Sequence, residues 1–181
     1  MSLARYTPVL FLALAAPAAA EERPGPLVTR NRIQLNLAGA EAALAAAKAK
    51  AAELKVAENI AVVDDGGHLL AFGRMDNARP GSAATAITKA TAAATFRQST
   101  GPLPPKGDPD TLLSLGVTLA ASAGGGKATP LLGGVPITVD GQVIGAVGVG
   151  GATGEQDLQV AKAGVEALLK ALEEPKPGAA K

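Results

Sequence analysis

The sequence holds no cysteine, no tryptophan, one histidine, one tyrosine and three phenylalanines among 181 residues. Each shortage removes a class of function. Without cysteine there is no disulfide framework, thiolate nucleophile or thiolate metal site. So few aromatics offer no stacking platform for single-stranded nucleic acid. Seventeen basic residues stand against 16 acidic ones, which leaves no excess to draw a polyanion. The lone His68 cannot supply the three or four ligands of a zinc site. No apolar run reaches the roughly 18 residues of a membrane-spanning helix.

The N-terminus reads as a processed segment. Arg5 precedes the apolar "PVLFLALAAPAAA", which ends in Ala18, Ala19 and Ala20 before Glu21. A charged start, a short apolar core and an A-x-A site describe a secretory signal peptide over residues 1–20. The mature chain is then expected to begin at Glu21 in the periplasm or outside the cell. Losing Arg5 leaves 16 basic and 16 acidic residues, a formally neutral protein. Residues 21–32 are expected as an extended lead-in, because Pro24, Gly25 and Pro26 block regular structure. A single domain over 33–172 follows, large enough to build one core. The polar stretch 173–181 is expected as a disordered tail.

Within the domain, "LNLAGAEAALAAAKAKAAELK" (35–55) predicts a helix with a narrow small-residue stripe. "NIAVVDDGGHLLAFGRM" predicts two strands about an Asp65-Gly66-Gly67 turn, since glycine supplies the positive φ of tight hairpins. Both strands are apolar on both faces, which suggests a sheet covered on each side. "GSAATAITKATAAATFRQS" (81–99) predicts a helix with Ser82 as N-cap. Four prolines and two glycines make 100–110 a loop. "TLLSLGVTLAAS" suits a short helix, and "GGGKATPLLGG" another loop. "VPITVDGQVIGAVGVGG" predicts a second hairpin turning at Asp140-Gly141. The last helix opens with Thr153 and Gln156 in capping-box spacing. Helix, hairpin, helix, loop, hairpin, helix is the order of an α+β fold on one antiparallel sheet.

Catalytic apparatus is not legible. There is no G-x-S-x-G, and Asp64 and Asp65, as strand neighbours, would point to opposite faces. The plainer reading makes them turn carboxylates that accept from local amides. "GVGGATGEQD" (148–157), with Gly148, Gly150 and Gly151, could cradle an anion at a helix start. It could equally serve close strand–helix packing, and Glu155 and Asp157 already occupy the positive end of that helix. Lys89 shares a helix face with Ser82, Ala86, Ala93 and Phe96. It either snorkels to solvent or pairs with an anion such as a haem propionate. His68 alternates with Leu70 and Phe72 and is a candidate iron ligand, or an exposed histidine beside a turn.

Three blocks carry a resemblance: "IAVVDDGGHLLAFGRMDNA", "ITKATAAATF" and "GGVPITVDGQVIGAVGVGGATGEQDLQVAKAG". In this order they resemble the signature blocks of the GlcG/HbpS family, which is related to the C-terminal domain of PduO-type adenosyltransferases. The likeness spans roughly residues 33 to 170. It implies a profilin-like three-layer α/β/α sandwich with a five-stranded antiparallel sheet, the fifth strand near 128–132. It also implies a homo-oligomer that binds a small molecule, with haem as cofactor in exported members. Arg74, Lys89 and Asp157 match positions inside the blocks and are carried over as pocket candidates. Two departures stand out. Gly148-Val149-Gly150-Gly151 replaces the G-V-S-G of many members, and the first helix contains no histidine to ligate iron. The expectation is an exported haem-binding protein without catalysis of its own, serving binding, storage or sensing. Other members accompany glycolate or alcohol oxidation, so an accessory protein or enzyme for a small hydroxy- or oxo-acid is the alternative. A periplasmic sensor or dehydrogenase would be the partner; nucleic acid and membrane insertion are not expected.

Overall fold

A computed structural model of the chain describes residues 32–173. The expected signal peptide lies outside the described residues, as do nearly all of the lead-in and tail. The elements run α1 (Leu37–Glu53), β1 (Asn59–Asp64), β2 (Leu69–Arg74), α2 (Ser82–Phe96), α3 (Thr111–Ala123), β3 (Gly134–Val139), β4 (Gln142–Gly150) and α4 (Gly154–Glu173). The four strands form one antiparallel sheet in the order β2-β1-β4-β3. The expected fifth strand is absent among the described residues, and 128–132 is loop and bend. Pro130 withholds an amide that a ladder would need.

Three layers follow from strand alternation. In β1, Ile60 and Val62 join the core under α1 and α4, while Ala61 and Val63 join a smaller core under α2. Alanines set the spacing. Ala40, Ala43, Ala47 and Ala51 of α1 are fully buried, as are Ala86, Ala90 and Ala93 of α2. Small residues let α1 and α2 approach the sheet closely from opposite faces, and let α1 approach α4. A Cβ on Gly164 of α4 would press on the Ala43 carbonyl of α1.

The caps show which local signals decide helix starts. Asn36 caps α1, accepting from the Gly39 amide at 2.8 Å, and Asp110 caps α3 by accepting from Leu113 at 2.9 Å. The capping box before α4 is formed: Thr153 and Gln156 exchange amide-to-side-chain bonds of 3.3 Å each. Ser82 is not a cap. It lies inside α2 behind Gly81, and no side chain caps that helix. The second hairpin turns through Asp140 (φ 48°) and Gly141 (φ 74°), a pair of positive φ values that fits a two-residue hairpin.

The first hairpin departs from expectation in two ways. β2 is an edge strand, and its burial is partial where β1 is buried from Asn59 to Val63. The register also shifts at Val62/Val63, which pair with Ala71 and Leu69. Leu70 is thereby the extra residue of a bulge, which breaks the alternation His68–Leu70–Phe72. Leu70 packs toward the α1/α4 core, whereas Phe72 pairs with Ala61 and faces the α2 side.

Gly148 of β4 is the seat of α2. A Cβ there would overlap the Ala86 carbonyl and the Ala90 amide and Cα, all backbone atoms that cannot swing aside. Gly148→Ala is expected to destabilise the protein by about 3 kcal/mol, the upper end for extra volume in a packed core. Urea unfolding measures it, and an unchanged midpoint would contradict this account of the α2 seat.

Candidate functional site

At the C-terminal end of β4 the chain passes through Gly150 and Gly151 and turns into α4. Lys89 reaches this point from α2, and its side chain is 3% exposed. Its Nζ donates to Asp157 Oδ2 at 2.6 Å and to the Val149 carbonyl at 2.8 Å. Asp157 Oδ1 accepts from the Ala152 amide at 3.1 Å. The anion that Lys89 pairs with is therefore supplied by the chain itself.

Glu58, the residue before β1, completes a buried trio. It is fully buried, and neither carboxyl oxygen accepts a hydrogen bond of ordinary geometry. An ionised carboxylate can only accept, so Asp157 offers it nothing in that state. A protonated Glu58 can instead donate to Asp157. Burial pushes its pKa from 4.5 up to about 8, and the charge of Asp157 and a hydrogen bond to it push the same way. Lys89 and the Ala152 amide pull it back without prevailing. Glu58 is thus a neutral acid beside a paired carboxylate at neutral pH.

The trio backs a cavity of about 260 Å³ walled by Arg79, Ser82, Thr85, Lys89, Leu131, Leu132, Gly150, Gly151 and Asp157 among others. Ser82 and Thr85 belong to the first turn of α2, and Gly154 and Asp157 to that of α4. Two positive helix ends therefore meet here. Arg79 stands at the rim, donating from Nη2 to the Gly151 carbonyl at 3.0 Å. Asn59 ties the same corner, its Nδ2 donating to the carbonyls of Arg79 (3.0 Å) and Gly150 (3.2 Å).

The structure thus gathers Lys89, Gly150, Gly151 and Asp157 at one place, and separates the other candidates. Gly148 lies beneath α2. Phe96 is 46% exposed and borders a space of about 40 Å³ shared with Ser114, Val117 and Thr118. Arg74 ends the edge strand β2. His68 sits in the β1–β2 turn, just ahead of that strand, with its side chain 83% exposed. Its Nδ1 lies 3.2 Å from both Asp64 oxygens. Asp64 also accepts from the amides of Gly66 and His68, so it acts as a turn carboxylate. Met75 packs against the α1/α4 core. Among the described residues, no group of three His, Cys, Asp or Glu side chains could hold a metal ion. Sequence reasoning missed Glu58 and Arg79. The only hint of Glu58 was an acidic residue directly abutting a fully apolar strand.

Comparison with known proteins places these features in context. The family model described as "Haem degrading protein HbpS-like" matches residues 35–166. Protein GlcG of Escherichia coli strain K12 is 43% identical over 120 residues, covering 66% of this chain and 84% of that one. A double mutant of Streptomyces reticuli HbpS superposes with a TM-score of 0.61 at 32% identity, covering 86% of this chain and 98% of that chain. A complex of PduOC with heme superposes with a TM-score of 0.60 at 26% identity, over 75% and 95% respectively.

The raised acid has a measurable signature. Between pH 4.5 and about 8 the native state keeps a proton on Glu58 that the unfolded chain has lost. Its contribution is full below pH 4.5 and is lost as pH rises toward about 8, at up to about 1.4 kcal/mol per pH unit. Glu58→Gln keeps the shape without the proton and should remove this slope. Urea unfolding across that range reads it, and parallel wild-type and variant curves would contradict a neutral Glu58.

Proposed function

The chain belongs to the HbpS-like family, and on that premise we propose that it is an exported haem-binding protein that holds haem at the β1–β2 hairpin. The observation that carries the reading is the setting of His68. Haem iron takes His, Met, Cys or Tyr, and His68 is the exposed candidate among the described residues. With its proton on Nδ1 directed at Asp64, Nε2 presents its lone pair outward. A carboxylate behind a histidine is the usual support for a metal ligand.

The surroundings suit an edge-held porphyrin. Leu69 and Phe72 are 50% and 37% exposed and lie on the α2 side of β2, where they are paired with Val63 and Ala61. Arg74 continues the same side two residues beyond Phe72 and offers a cation to a propionate. The cavity at Lys89 is too small to enclose a whole porphyrin. A larger groove of about 660 Å³ beside the start of α1 is lined by none of the side chains that ligate haem iron. Haem at the hairpin would supply a redox-active iron. His68 would fix its position, and the open side of the edge strand would leave the second face for another copy of the chain. The apolar N-terminal stretch ending at Ala20 supports export, and with it a periplasmic or secreted location.

A hemin titration tests the reading. Wild type is expected to shift the Soret band with saturable stoichiometry, and His68→Ala to weaken binding about tenfold or more with loss of the ligated spectrum. An unaltered spectrum in the variant would move the iron elsewhere, and no wild-type shift would end the haem reading.

A further inference from the structure

The cavity at the N-termini of α2 and α4 carries an inference separate from haem. It lies at the Asn59 end of β1, whereas His68 follows the Asp64 end. Lys89 and Asp157 neutralise each other. Arg79 at the rim has no carboxylate within ion-pair distance among the described residues, and its guanidinium donates to the Gly151 carbonyl. The amides of Ser82 and Ala83 donate to the carbonyls of Arg79 and Pro80, but the first turn of α2 has no acidic residue and no capping side chain, so no anion offsets its positive end.

Two glycines keep the wall thin around the buried trio. A Cβ on Gly151 would overlap Glu58 Oε2, and one on Gly133 would crowd Asp157 Cβ at 2.7 Å and Lys89 Nζ at 3.1 Å. Behind that wall Glu58 is fully buried, and neither oxygen accepts a hydrogen bond of ordinary geometry. Leu131 and Leu132 give the cavity an apolar side. At about 260 Å³ it falls just below drug-sized pockets, which begin near 300 Å³. A cation, a helix end without an anionic cap, two hydroxyls at Ser82 and Thr85 and an apolar wall describe one class of ligand.

We propose that this cavity binds a small organic acid as its carboxylate, with Arg79 and the uncapped positive end of α2 as charge partners and Leu131 and Leu132 against its carbon skeleton. Bare phosphate lacks the carbon skeleton and leaves the leucine wall unused. The groups facing Glu58 are Asp157 from α4, Lys89 from α2 and the Ala152 amide. When Glu58 ionises, it adds a negative charge behind the ligand, so affinity falls as pH rises through about 8.

Calorimetric titration of the full chain with acetate, propionate and inorganic phosphate tests this. Saturable carboxylate binding is expected, tighter for propionate than for acetate and weaker for phosphate. Arg79→Ala, an exposed position, should weaken it about tenfold. Glu58→Gln should bind at about pH 9 as it does at about pH 6, where wild type loses affinity. Hemin titration of Arg79→Ala should match wild type, which keeps the two sites distinguishable. No saturable carboxylate binding, indifference to Arg79→Ala, or a preference for phosphate would each overturn the proposal.

Discussion

The buried pair of Lys89 and Asp157 is the constraint on which the rest of the structure turns. α2 covers one face of the sheet and α4 the other, and this contact at the end of β4 joins the two helices directly. Burying two charges is costly, and mutual attraction offsets the cost only with close geometry and every remaining lone pair and proton engaged. Both conditions are approached. The ions lie 2.6 Å apart, the ammonium also meets the Val149 carbonyl, and the carboxylate also takes the Ala152 amide. The pair fixes where β4 must stop and where α4 must start. Glu58 then has to sit, buried, beside a carboxylate that already engages the nearby donors, Lys89 and the Ala152 amide, which is why it holds its proton.

The same economy of volume runs through the layers. Alanine stripes on α1 and α2 and glycines at Gly148 and Gly164 bring backbone against backbone, so the core is thin and rests on many small contacts. One strand is left out of that cover. β2 lies at the sheet edge, outside the smaller core that α2 builds over β1 and β4, and Leu69 and Phe72 stay exposed. The haem reading rests on that exposed edge and on a histidine steadied by Asp64. The organic-acid reading rests on the opposite end of β1, where the ion pair gathers two helix ends around a cavity.

Much of the fold was legible because its signals are local. Alanine periodicity marked α1 and α2, Asp140-Gly141 marked a turn that needs two positive φ values, and Thr153 with Gln156 marked a real capping box. What failed was set by distant parts of the chain. Ser82 looked like a cap, but the preceding turn carries the start of α2 one residue earlier. The alternation of His68, Leu70 and Phe72 looked like a pocket wall until the bulge against β1 turned Leu70 to the other side. Apolar residues on both faces of β2 suggested a covered strand, yet strand order put it at an edge. The site was half legible. Lys89, Gly150, Gly151 and Asp157 meet as a group, but the partner of Lys89 lies 68 positions away. Glu58 gave almost no signal, because its proton is decided by neighbours that only the fold assembles.

A double-mutant cycle on the ion pair tests this account most directly. Lys89→Met and Asp157→Leu each leave one buried charge unmatched, and each should cost about 3–5 kcal/mol of unfolding free energy. The double variant removes both charges and is predicted to be more stable than either single one, with a coupling of about 3 kcal/mol. Single costs that add to within about 0.5 kcal/mol would contradict the pair as the tie between the layers.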